Sequence, residues 1–97
     1  MVRHCVLLRF TEAATNAQRA EARDALRALP VTIDAIRDDS VGDDLGETDG
    51  NFDLAIVAGF DDRAGYATYR DHPDHVRVVR DLLRPIVATR AAVQYEA

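Results

Sequence analysis

The stretch TYRDHPDH, residues 68–75, places Tyr69 six positions ahead of His75 and sets His72 and His75 on either side of Pro73. The chain has only three histidines, so two of them within four residues concentrate the side chain that titrates nearest neutrality. Three chemistries fit such a stretch: a metal pair, an acid–base pair, or the cap of a helix.

A metal held by His72 and His75 would need a third ligand, for which His4 and Asp71 are the available residues. No other part of the chain has metal-ligand spacing, so no metal is expected. With Pro73 at the first helical position, His72 falls at the N-cap and His75 at the third residue of the helix. The expectation for His72 is therefore a structural cap. A helix start opposes the imidazolium, so His75 should stay neutral, as a general base requires. Tyr69 ends the preceding helix and can reach His75 across the turn, to donate or accept a hydrogen bond. His4 lies on the strand face shared with Val2, Val6 and Leu8. Three titratable groups then converge between sheet and helices. The plainer alternative is that all three are satisfied polar groups at the edge of a core.

Other chemistries fall away on composition. All twelve basic residues are arginine, which removes Schiff-base chemistry on a lysine and the P-loop. The one serine, Ser40, sits in an acidic stretch with no histidine near it in sequence, against a serine hydrolase. A formal charge of −5 argues against nucleic acid. Asp38, Asp39, Asp43, Asp44, Glu47 and Asp49 do not follow the calcium-loop spacing and read as a solvated hairpin. Cys5 adjoins His4 but must point to the other face of its strand, so no Cys–His dyad forms there. A single cysteine excludes an internal disulfide and agrees with a reducing compartment. No apolar run approaches a membrane span, and the N-terminus reads as a strand and not a signal peptide. The expected location is cytoplasmic.

The elements that must position these residues are legible from periodicity. Residues 2–10 alternate as a strand, and Thr15 with Gln18 has the form of a capping box before a helix ended by Pro30. A second strand is expected over residues 36–41 and a third over residues 52–60. Asp61 or Asp62 can cap a short helix through Tyr69, and Pro73 opens another whose stripe is Val76, Val79, Leu82, Leu83 and Ile86. Pro85 should end it, and residues 89–97 close the chain as a strand. The order β-α-β-β-α-α-β is that of an α+β, ferredoxin-like plait, a single domain over residues 1–97. Helices cover one face of such a sheet. The other offers Cys5, Leu7, Ala55, Val57 and Gly59, small and apolar, which a second copy of the sheet would cover as a two-fold dimer.

The first-strand histidine of VRHCVLLRF, a strand ending in phenylalanine, the YRDHPDH stretch and a last strand ending in QYE together resemble the stress-responsive A/B-barrel (Dabb) family. The resemblance runs over nearly the whole chain. It implies a ferredoxin-like fold paired into a homodimeric α/β barrel, in a family most of whose members have no assigned activity. Those that do include polyketide cyclases of the olivetolic acid cyclase type, which catalyse an aldol condensation without a cofactor. By motif, their catalytic tyrosine and histidine correspond to Tyr69 and His75, and a first-strand pocket histidine to His4. Leu54 stands where those cyclases carry a further pocket histidine, and no tyrosine occurs near Leu26. Those departures weigh against the same substrate while leaving Tyr69 and His75 in place. The resulting expectation is a homodimer with a substrate cleft touched by His4 and Leu54, taking a small apolar or phenolic ligand and needing no cofactor. Within it, His75 acts as base and Tyr69 as its partner at the carbonyl oxygen. Two alternatives stand beside it: a non-catalytic stress-related dimer or ligand-binding module, and a cofactor-free monooxygenase.

Overall fold

The computed structural model describes residues 1–97. Its elements are β1 (Val2–Phe10), α1 (Asn16–Ala28), β2 (Asp38–Asp43), β3 (Leu54–Phe60), α2 (Arg63–Asp71), α3 (Pro73–Val78) and β4 (Val87–Glu96). The four strands form one antiparallel sheet in the order β2-β3-β1-β4. This is the ferredoxin-like plait expected from the order of elements.

β1 runs between β3 and β4, with His4 opposite Ala58 on one side and Gln94 on the other. Val2, His4, Val6, Leu8 and Phe10 all point under the helices and are buried, as the period of two requires. They meet Ala22 and Leu26 of α1, Tyr69 of α2, Val78 of α3 and Phe60 of β3 in a continuous core.

The strand limits shift from those expected, for identifiable reasons. Ile36 is buried in the turn before β2, which starts at Asp38. Phe52 lies outside β3, its ring 4.5 Å from the Arg9 guanidinium. Asp53 is held instead by β1: its N–H donates to the Leu8 carbonyl, and its carboxylate accepts from the Phe10 N–H. Pro30 does not end the first helix abruptly. Leu29–Val31 continue α1 as a single 3-10 turn, where the missing proline N–H is tolerated. After α3 the chain widens into a π-helical turn, Val79–Leu83, and the Arg84 N–H donates to the Val79 carbonyl. Pro85 follows and supplies no N–H to carry the helix further. The acidic loop before β3 is a turn, with Gly46 and Gly50 at positive φ and Asp44 accepting from the Gly46 N–H and the Asn51 amide.

The outer face of the sheet carries no helix. Leu7, Val57, Val93 and Tyr95 are 44%, 38%, 56% and 51% exposed there. Arg3 and Asp38 bridge across Gly59 on the same face, and a Cβ at residue 59 would come within 2.7 Å of both side chains. No helix is long and apolar enough to cross a membrane.

The start of α1 is fixed by the reciprocal cap seen in the sequence. The Gln18 N–H donates to Thr15 Oγ1 at 3.1 Å, and the Thr15 N–H donates to Gln18 Oε1 at 2.9 Å. Thr15→Ala removes half of that exchange and should cost about 1 kcal/mol of stability, measured by urea denaturation, with an unchanged slope.

Candidate functional site

The turn between α2 and α3 is built by residues of the TYRDHPDH stretch. Asp62 caps α2 by accepting from the Gly65 N–H. His72 ends α2 and caps α3, its Nδ1 accepting from the Asp74 N–H at 3.1 Å. His72 thus serves as the structural cap, through Nδ1. His75 Nδ1 lies 3.0 Å from the Arg70 carbonyl oxygen. A carbonyl can only accept, so Nδ1 carries the proton and the lone pair remains on Nε2. No group of three or more histidine, cysteine, aspartate or glutamate side chains is placed to hold a metal ion.

Tyr69 is buried, and its ring centroid lies 4.2 Å from that of His75 at an interplanar angle of 38°. The two rings are packed, without the hydrogen bond between them that the sequence suggested. His4, only 4% exposed, reaches this cluster from β1, with ring centroids 5.6 Å from Tyr69 and 5.1 Å from Tyr66. The Gln94 amide donates to His4 Nδ1 at 2.9 Å, which leaves His4 Nε2 as the protonated nitrogen. The two histidines therefore hold opposite tautomers: His75 keeps an acceptor free and His4 a donor.

These side chains line one cleft of about 390 Å³ between the sheet and the helices. Val6, Leu8, Ile56, Leu26, Val79 and Leu83 supply most of its apolar wall. Such a volume suits a small organic molecule. Leu54, expected at the site, is fully buried on β3 and does not line this cleft, although it pairs with Leu8, which does. Tyr66, Arg70, Arg84 and Arg90 line the cleft and were not singled out from the sequence. Tyr66 was findable, since it lies three residues before Tyr69 on the same helix. Arg90 becomes visible only once the register is known, opposite Leu8 on the inward face.

The cleft keeps its titratable groups neutral. Burial above all, then the positive charges of Arg90 and His75, lower the His4 pKa from 6.5 to about 4. His75 is also lowered, chiefly by burial, with the Arg70 carbonyl opposing and Arg90 adding to the shift. The direction is that expected from the sequence, but burial is the leading cause and not the start of a six-residue helix. Burial, Asp39 and Tyr66 push the Tyr69 phenol well above its ordinary value, against the pull of Arg90. Near neutral pH the site therefore presents two neutral imidazoles and an un-ionised phenol.

The sequence matches the model of the stress responsive A/B barrel domain over residues 2–97, and the chain belongs to that family, Dabb. A dimeric ferredoxin-like protein of unknown function from Thermobifida fusca YX is 36% identical, with a TM-score of 0.91 over 99% of this chain and 90% of that one. A second dimeric protein of ferredoxin-like fold, also of unknown function, from Bacteroides fragilis NCTC 9343, is 27% identical with a TM-score of 0.85, covering 99% and 95%. The hydroxynitrile lyase from Passiflora edulis shares the fold at 18% identity and a TM-score of 0.85, covering 97% and 90%. Among curated proteins no match to the sequence is found.

The buried neutral His4 links stability to pH. Its folded pKa lies below the unfolded value, so its contribution is complete above about pH 6.5 and is lost as the pH falls toward 4. Urea denaturation across that window should show stability declining, and His4→Leu should flatten the decline. An unchanged slope in the variant would show that His4 titrates normally.

Proposed function

We propose that this protein is a homodimeric small-molecule enzyme that performs cofactor-free acid–base chemistry, of the aldol or polyketide-cyclase type, on a carbonyl or phenolic compound. The observation that carries the reading is the pairing of a neutral His75, its Nε2 lone pair free, with an un-ionised Tyr69 whose ring lies 4.2 Å away in the same cleft. In this scheme His75 Nε2 takes a proton from the carbon next to a carbonyl, and the Tyr69 hydroxyl donates to the enolate oxygen that results. The enolate carbon attacks a second carbonyl of the same molecule, and the imidazolium returns its proton to the new alkoxide. His4, with Nε2–H as donor, orients the second oxygen. The lyase of Passiflora edulis adds only that this fold accommodates an enzyme.

The test is deuterium exchange at carbons adjacent to the carbonyl in a panel of small 1,3-diketones, followed by NMR. His75→Ala should lower exchange by about 10²–10⁴-fold. Tyr69→Phe should lower it by about 10²-fold with the fold unchanged, since only the hydroxyl is lost. Exchange that survives His75→Ala removes the proposed base. A second reading, a ligand-binding module without turnover, draws on the packed rings of Tyr69 and His75, which make no hydrogen bond to one another. It predicts ligand binding with no exchange in the native protein.

The homodimer rests on the uncovered apolar sheet face and on the dimeric state of the relatives from Thermobifida fusca and Bacteroides fragilis. Two copies of this face packed together would bury Leu7, Val57 and Val93. Sedimentation should return twice the chain mass of 10.7 kDa. Val57→Asp should convert the protein to a monomer or unfold it, because it buries an unpaired charge at the contact. A native protein that sediments as a monomer at micromolar concentration rules the barrel out.

A further inference from the structure

Most arginines in this chain are engaged by a neighbour: Arg3 by Asp38, Arg23 by Asp43, Arg37 by Asp61 and Arg80 by Asp81. Arg84 and Arg90 are not: their guanidinium groups make no hydrogen bond, ion pair or aromatic contact, yet both residues line the cleft. Arg70 lines it as well, but its guanidinium is neutralised by two hydrogen bonds to the Asp71 carboxylate. No aspartate or glutamate is part of the wall. A protein with a net charge of −5 thus keeps two unpaired cations, and no carboxylate, in the wall of this largely apolar cleft.

We infer that the cleft selects a ligand carrying a carboxylate on an apolar or aromatic body, with Arg90 and Arg84 receiving the carboxylate. This deepens the reading of the cleft as a small-molecule site and rests on it. The planar guanidinium presents paired N–H donors that match the two oxygens of a carboxylate. Arg90 stands opposite Leu8 on β1, on the inward face that also carries His4. It acts on His4, Tyr69 and His75 alike, which sets it close to the proposed reacting groups. Arg84 follows the π-helical turn that closes the helical side of the cleft. The rest of the wall is aliphatic and aromatic, suited to the body of the ligand and not to a second charge.

A matched pair of probes isolates the charge: 3-(4-hydroxyphenyl)propanoate and its amide, 3-(4-hydroxyphenyl)propanamide, which have nearly the same shape. Calorimetric titration should find the acid binding at least about tenfold more tightly than the amide, with the advantage shrinking as salt is raised. Arg90→Gln and Arg84→Gln, both at exposed side chains, should each weaken the acid more than the amide and so reduce that preference. Equal affinities for acid and amide in the native protein overturn the carboxylate preference and leave the small-molecule cleft standing. Binding of neither probe overturns both. A preference for the acid without any proton exchange supports this inference and sinks the catalytic reading. Should either variant fail to fold, the salt dependence of the native protein decides the matter, because a salt-independent preference is not electrostatic.

Discussion

The position of β1 at the centre of the sheet constrains nearly everything else in the molecule. It is hydrogen-bonded to β3 on one side and β4 on the other, so its register fixes both neighbours. Because side chains alternate, a slip of one residue would send His4 to the outer face and Cys5 into the core. Five inward residues of β1, four of them apolar, oppose such a slip. The same register brings Gln94 to His4 and Arg90 to Leu8, across about ninety residues of chain. The cleft is therefore assembled by strand pairing as much as by the turn that carries Tyr69 and His75.

Within that frame, the protonation states follow from burial and from an arrangement of charge. An unpaired Arg90 near His4 and His75 disfavours a second positive charge on either ring. It favours the ionised phenol of Tyr69, yet burial outweighs it there. The outcome is a neutral base beside a neutral donor, the combination that an enolisation needs at both ends of the carbonyl group. Opposite tautomers of the two histidines are set by single partners, a backbone carbonyl for His75 and a side-chain amide for His4. A carboxylate bound at Arg90 would offset the charge that holds both histidines neutral. Ligand charge and base strength are thus coupled through one side chain.

Much of this was legible in the sequence because it depends on local rules. Alternation identified the inward face of β1, the Thr15–Gln18 pair the start of α1, and Pro73 the cap formed by His72. The exposed apolar face followed from the same alternation. What the sequence concealed depends on long-range register or on competing local contacts. Leu54 shares the inward face with His4 and pairs with the cleft-lining Leu8, but parity does not encode which inward side chains are packed over and which stay open to the cleft. Arg84 and Arg90 looked like two more scattered arginines, since only the folded chain shows which of them lack an acidic neighbour. Tyr69 packs on the His75 ring without the expected hydrogen bond, a side-chain geometry set by the folded turn, and the His75 Nδ1 proton goes to the Arg70 carbonyl, five residues away.

The two faces of the sheet also divide the demands made on a small core. Only 20 of 97 residues are buried in the single chain, and a cleft beneath the helices leaves part of that core unfilled. An open apolar cleft forgoes packing contacts that a filled interior would make. Covering Leu7, Val57 and Val93 with a second sheet adds burial at a place remote from the cleft, on side chains that alternate with those lining it. Pairing of the outer faces can then stabilise the fold without filling the inner one. On this view the alternation of β1 lets one strand serve both assembly and chemistry. In the proposed dimer, changes to its odd-numbered residues would act first on association, and changes to its even-numbered ones on the cleft or the core.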